Sequence, residues 1–568
     1  MDRITKSLLD EFSTEQGIVH LPEDKRFEHF AAYLVIHRFY SDSFDTSDVV
    51  TGDGNDTGID AIGIVVNGSL VTDAELIEEL AETNGYLDVT FVFVQVERSA
   101  GFDTSKIGQF SFGVLDFFKA QPSLPQNEAI TEAHSIMEAI YKRSGKFKRG
   151  NPACRLFYVT TGKWTGDTNL EARRKSVLAD IDNLRIFREV EFTPIDVDAT
   201  HKLYRQTKNA ISRDFTFAER TVMPEIPGVL EAYLGFLPAQ EFLHLIKDEE
   251  DNIIKSIFYD NVRDWQDFNS VNSEIRNTLA SEKLRSRFAL MNNGVTIIAK
   301  TLRATGNRFY IEDYQIVNGC QTSHVVFDQR ELIDNSVMIP LRLIATQDDE
   351  VIASIIKATN RQTEVKEEQL LALSDFQKKI EAHFQSFDDS RKLFYERRSK
   401  QYNELIGIEK TRIITLPNLI RAYAAMFLEE PHSTTRNYKR LLDLVGKTIF
   451  ESNHRLEPYH LAAFALYKLE YLFRNGIIHS QLKVARYHIL LAYRLISNPT
   501  NLPRMNSHDM AKYCEAMLGN LSDSMLMEKT FLQAVTVVSD VAQSNFDRDH
   551  IRTQAFTEQL RNHLLQRR

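Results

Sequence analysis

Two short segments carry residue types that could hold a metal ion. Thr51-Gly-Asp-Gly-Asn-Asp-Thr-Gly-Ile-Asp60 is a glycine-rich turn that delivers an acid to the start of an apolar strand. Phe91-Val-Phe-Val-Gln95-Val-Glu97-Arg98 is a second apolar strand with two polar side chains at alternate positions. In an extended strand, residues two apart share a face, so Gln95 and Glu97 point the same way. A hard divalent cation needs several oxygen donors held in a cluster, and such an ion polarises a scissile phosphate and activates the attacking water. Asp60, Gln95 and Glu97 supply two carboxylates and an amide oxygen. The same residues also read as a hairpin with a Gly/Asn/Asp turn and a surface pair of polar groups.

A second constellation lies in the middle of the chain. Asn292-Asn293-Gly294 is a turn entering an apolar strand, and Asn318-Gly319 breaks another strand before a helix whose first turn carries Gln321, Thr322 and Ser323. Thr359-Asn360-Arg361-Gln362 is a third polar break. Backbone amides at a helix N-terminus are unpaired and electropositive, which makes a seat for phosphate. Asn292, Asn293, Asn318, Gln321, Thr322, Asn360 and Gln362 are the candidate ligand-binding residues, and the breaks at Asn318-Gly319 and Thr359-Asn360 are expected to meet across one cleft. A turn at Asn318-Gly319 followed by a helix cap at Thr322 or Ser323 explains the same geometry without a ligand.

The elements that position these residues follow from periodicity. An apolar helix over 27–39 should pack against the strands around Asp60, and a helix over 104–118 follows the second strand. Strands at 154–161 and 190–196 flank a helix at 170–184, an alternation that suits an α/β sheet domain ending near residue 205. Strand-like and helical segments mix from 217 to 398. From Thr411 onward the apolar faces are helical, over 416–428, 460–473, 481–495 and 526–541, as suits packing, dimerisation or partner binding. Lys142, Arg143, Lys146, Lys148 and Arg149 make a basic surface loop that could meet phosphates.

At 568 residues the chain exceeds a single core. Its 43% hydrophobic and 26% charged residues are those of a soluble protein, and no stretch approaches the roughly 18 consecutive apolar residues of a membrane span. The start lacks a signal-peptide pattern, so a cytoplasmic location with no membrane partner is expected. Cys154, Cys320 and Cys514 lie far apart, which argues against a disulfide framework or a zinc site. The net charge of −11 argues against a nonspecific nucleic-acid coat but leaves room for a local basic groove. Gly446-Lys447-Thr448 lacks the first glycine of a P-loop, and no nucleophile elbow occurs.

The two N-terminal segments resemble the PD-(D/E)xK nuclease superfamily in its Mrr-like branch, where the acid sits in a Gly-Ile-Asp-Ala context and the second motif is often Gln-x-Lys. The resemblance implies that an opening helix brings a further acid, here Glu28, to the metal. Glu97 stands where the family usually has lysine, so Glu97 is either a further ligand, with Arg98 or Lys106 supplying the positive charge, or the mark of a weakened site. The run of Ile257-Phe-Tyr-Asp-Asn261, Asn292-Asn-Gly-Val-Thr, Ile316-Val-Asn-Gly-Cys-Gln-Thr-Ser323, Ala358-Thr-Asn-Arg-Gln-Thr363 and Phe394-Tyr-Glu-Arg-Arg398 resembles the AIPR, or abortive infection phage resistance, family. More distantly, the middle motifs are similar to the DGQHR and ParB-like group, which implies a site for a nucleotide or nucleic acid, with binding favoured over hydrolysis because Asn318 replaces a carboxylate.

These resemblances imply an α/β restriction-endonuclease-like domain over 1–205, an α+β central AIPR domain over 206–400 and an all-α region over 401–568. The implied activity is Mg2+- or Mn2+-dependent cleavage of DNA or RNA in anti-phage defence, with catalytic Asp60, Gln95, Glu97, Arg98 and Lys106 and metal ligands Asp60, Glu97 and Glu28. The alternative is a non-catalytic sensor that binds nucleic acid, a nucleotide or a phage component. Homo-oligomer formation is compatible with either.

Overall fold

The computed structural model describes the chain except residues 41, 53, 149, 209–210, 249–250, 252, 255–256, 259–269, 360–374, 398–400, 403–407, 437 and 567–568. The N-terminal part is built on a five-stranded sheet of order β2-β1-β3-β4-β5, with β1 Ala61–Val66, β2 Ser69–Leu70, β3 Val89–Glu97, β4 Ala153–Thr160 and β5 Glu189–Ile195. β1 runs antiparallel to β2 and β3, whereas β3, β4 and β5 are mutually parallel. Parallel neighbours need crossovers. Helices Thr104–Phe117 and Glu128–Tyr141 join β3 to β4, and helix Thr168–Asp182 joins β4 to β5.

Both faces of this sheet are covered, which is why β3 reads as a nearly continuous apolar run. Ile62, Ile64, Phe91 and Phe93 pack on one side with Phe110, Val114 and Phe117. Ala61, Val92, Val94 and Phe157 pack on the other with Phe27, Phe30, Val35 and Ile36 of helix Glu23–Ile36. Gly63 sits under that helix, where a Cβ would lie 3.0 Å from Ile36.

The central part holds a six-stranded sheet of order β6-β10-β9-β11-β8-β7, with β6 Ser212–Thr216, β7 Glu219–Val222, β8 Glu231–Pro238, β9 Val295–Thr305, β10 Arg308–Asn318 and β11 Met338–Ala345. Among the described residues, the β9–β11 pair is parallel and the other named strand pairs of this sheet are antiparallel. One face packs on helices Ala239–Ile246, Ser270–Ala280 and Cys320–Asp328 through Leu245, Leu279 and Val325. On the other, helix Asp349–Thr359 holds Ile356 against Ile298 and Val317.

The helical core runs from Phe376 to Leu564 around helix Glu457–Arg474, which is apolar on nearly all sides and correspondingly buried. Phe384, Leu393 and Tyr395 already belong to this core. The region is not wholly helical. β-branched Ile413 and Ile414 form a short strand, Ile413–Thr415, parallel to Phe394–Glu396. Ion pairs tie the helices to the first sheet domain: Arg474 to Asp45 at 3.2 Å, Lys483 to Asp48 at 3.0 Å and Arg552 to Glu75 at 3.2 Å. Among the described residues no helix is long and apolar enough to cross a membrane.

Candidate functional site

The loop before β1 is wound tightly, with Gly52, Gly54, Asn55, Thr57 and Gly58 all at positive φ. Asn127 reaches in from the following helical layer and donates to the carbonyls of Thr51 at 2.9 Å and Gly54 at 3.1 Å. Helix Thr104–Phe117 lies directly on the loop at Gly113, where any Cβ would run into the Thr57 carbonyl. These contacts fix where Asp60 leaves the turn.

Asp60 then clasps the end of β3. Its amide donates to Val94 O at 2.9 Å, and its Oδ2 accepts from the Val96 amide at 2.6 Å. The carboxylate thus replaces a rung of the ladder beyond the last β1–β3 pair, Ala61 with Val94, and brackets Gln95. Burial pushes the Asp60 carboxyl up to about 7, with the Glu28 and Asp56 carboxylates adding to the rise against the Val96 hydrogen bond. Glu28 itself is held by Lys25 Nζ at 2.9 Å.

Glu97 lies beyond Gln95 on the same face, paired with Lys106 Nζ at 2.5 Å. Lys106 is in the first turn of its helix, which Asp103 caps by accepting from the Ser105 and Lys106 amides at 2.7 and 3.2 Å. Lys106 is therefore the cation beside Glu97, while Arg98 turns to Glu23 at 3.3 Å. The basic loop is not part of this site. Lys146 O accepts from Leu87 N at 2.9 Å, at the opposite end of β3 and about 25 Å of strand from Glu97. Arg149 lies outside the described residues.

No three acid, histidine or cysteine side chains come together as a metal-holding group among the described residues. An ion would rest on Asp60, Glu97 and the Gln95 amide oxygen, and that oxygen is buried with no hydrogen-bond partner among the described residues. A buried amide oxygen without a donor and two carboxyl groups are hard oxygen donors of the kind such an ion takes. The residues present fit such a group. The register also sets Tyr158 of β4 beside Gln95, a neighbour that spacing in the sequence does not reveal because it depends on how two strands far apart in the chain align.

The raised Asp60 carboxyl has a consequence for stability. Between its ordinary value of 3.8 and about 7 the folded protein holds a proton that the unfolded chain has lost, so this group's contribution falls as pH rises through that window. Asp60→Asn, which cannot ionise, should be more stable than wild type above pH 7 by up to about 4 kcal/mol and close to it near pH 4. Melting curves at both pH values test this, and an equal difference at the two would contradict it.

In the central part, the turns at Asn292-Gly294 and Asn318-Gly319 lie against each other. Asn292 Nδ2 donates to Thr322 Oγ1 at 3.0 Å, and Asn292 Oδ1 accepts from Gly294 N at 2.8 Å. Asn318 Oδ1 accepts from Gly319 N at 2.9 Å, and Ser323 Oγ donates to Gly319 O at 2.8 Å. Gly319, at φ +92°, backs onto Gly294, where a Cβ would lie 2.8 Å from Gly294 O. Gly294, at φ +80°, in turn backs onto the Pro340 carbonyl. The side chains of Asn292 and Thr322 thus clasp the two turns together, while the Asn318 side chain bonds within its own turn. Gln321 is half-buried and Asn293 exposed beside it. Asn360 and Gln362 lie outside the described residues.

Comparison with curated proteins finds no match, and comparison with solved structures finds none either. A protein-family profile described as AIPR protein matches residues 258–557, from the strand bridge at Phe258 to the last helix. That match spans more than half of the 568 residues, and the chain belongs to the AIPR family.

Proposed function

We propose that this protein is an abortive-infection nuclease, whose N-terminal α/β domain hydrolyses phosphodiester bonds with a divalent cation and whose AIPR region senses or regulates. The family implies defence against phage by abortive infection. The observation that carries the nuclease reading is the buried, unpartnered Gln95 Oε1 on the strand face that also carries Glu97, at the strand end that Asp60 clasps. The sheet order, with an antiparallel β1–β3 pair carrying the acids and a parallel β4 beyond it, supports a PD-(D/E)xK-like arrangement.

In this reading Asp60, Glu97 and Gln95 hold Mg2+ or Mn2+, which when bound polarises the phosphate and lowers the pKa of water. Asp60, clamped by the Val96 amide, presents a fixed oxygen. Lys106 supplies from a helix the positive charge that the motif usually carries on the strand, and its ammonium is placed to neutralise charge developing on a phosphate oxygen. Glu28 raises the Asp60 carboxyl through its charge.

The Glu97–Lys106 pair also favours a second reading, a non-catalytic binder of nucleic acid, because an ammonium already satisfies one of the carboxylates. Incubation of the full chain with plasmid DNA and with total RNA, in Mg2+, Mn2+ or chelator, separates the two. Metal-dependent cutting supports the nuclease. Retention of nucleic acid without cutting under all conditions supports the binder. Given cutting, Lys106→Ala should reduce the rate by roughly 10- to 1000-fold with little change in melting temperature, since an exposed ion pair contributes about 1 kcal/mol or less to folding. An unchanged rate would remove Lys106 from the chemistry.

A further inference from the structure

Tyr158 is fully buried on β4, in register with Gln95 on the adjacent parallel strand. Its ring belongs to the apolar layer beneath helix Thr104–Phe117 and meets Phe102 with ring centroids 5.7 Å apart. Phenylalanine would fill that place equally well. It would also avoid burying a hydroxyl without a partner, which costs on the order of 1–3 kcal/mol. Among the described residues neither the Tyr158 hydroxyl nor Gln95 Oε1 finds a hydrogen-bond partner, so they do not bond to each other. A buried donor and a buried acceptor side by side on neighbouring strands, both unpaired, are accounted for when a third polar atom reaches both. Burial and the carboxylates of Glu97, Asp103 and Asp60 push the phenol well above its ordinary value.

We propose that Tyr158 is a positioning residue of the metal site, its hydroxyl and Gln95 Oε1 sharing one buried water that fixes the amide so its oxygen completes the set with Asp60 and Glu97. An amide oxygen has two lone pairs, so one accepts from the water while the other faces the ion. The proposal rests on the metal-dependent reading above and adds to it a residue outside the two acid motifs. Partners of this outer kind orient the direct ligands, and their loss typically lowers metal affinity by about 10- to 100-fold.

The test is Mn2+ binding by calorimetry on the full-length protein, with thermal melting in parallel, for wild type, Asp60→Asn, Tyr158→Phe, Gln95→Leu and the Tyr158→Phe/Gln95→Leu double variant. Tyr158→Phe should weaken Mn2+ binding by about 10- to 100-fold while its melting temperature falls by no more than the loss of one buried hydrogen bond produces. Its effect should vanish in the Gln95→Leu background, because both act through one chain of bonds. Wild-type binding that Asp60→Asn abolishes but Tyr158→Phe leaves intact overturns the role of Tyr158 and keeps the metal site. Equal effects of Tyr158→Phe on Mn2+ binding with and without Gln95 make the hydroxyl a folding element and overturn the proposal. No Mn2+ binding by wild type overturns the metal reading and this proposal with it.

Discussion

Asp60→Asn should lower nucleic-acid cleavage by roughly 100- to 1000-fold or more while the protein stays folded, the scale seen when one preorganised contact to the reacting group is lost. The choice of asparagine matters. Asp60 Oδ2 accepts the Val96 amide at 2.6 Å and completes the β1–β3 ladder, so alanine would leave a backbone donor unpaired at the end of β3. That would cost about 1–3 kcal/mol and confuse lost chemistry with lost structure. The asparagine carbonyl keeps the hydrogen bond and removes only the charge. Asp60→Asn that cuts at the wild-type rate would sink the site as drawn. Asp60→Ala, which loses both charge and acceptor, should be inactive and also melt lower than Asp60→Asn.

Gly319→Ala should destabilise the central domain by on the order of 3 kcal/mol, from two additive causes. At φ +92° an L-residue is strained, and its Cβ would lie 2.8 Å from Gly294 O and 2.9 Å from the Val295 Cα, backbone atoms of the turn into β9 and of β9 itself that cannot step aside. Gly294→Ala meets the Pro340 carbonyl across β11 in the same way. Asn318→Ala, by contrast, loses only a short local hydrogen bond to the Gly319 amide and should cost about 1 kcal/mol. Thermal melts of the three variants give the order. A Gly319→Ala protein as stable as wild type would mean that the two turns do not press together in solution.

That contrast explains why the middle motifs are only partly legible from spacing. Asn-Gly pairs read as turns, and as turns they are found. That Gly294 and Gly319 touch each other, so that Asn292 bonds Thr322, depends on β9 and β10 pairing with a register shift between Ile316 and Asn318. A shift of one residue exchanges the faces of a strand, and nothing local in the sequence announces it.

The sequence by itself determined the local patterns: the alternation that sets Gln95 and Glu97 on one face of β3, the glycine turn ahead of Asp60, the helices of the C-terminal region and the ordered motifs that mark the AIPR family. Each rests on neighbours close along the chain, where period and turn chemistry act directly. Tertiary structure alone decided which cation meets Glu97, since Lys106 reaches it from a helix whose first turn Asp103 fixes, whereas the adjacent Arg98 is drawn off to Glu23. It decided that Asp60 is buried enough to hold its proton to about pH 7, and that Tyr158 stands beside Gln95. Burial and register are set by elements distant in the chain, so a charge or a hydroxyl acquires its chemistry only once those elements have packed.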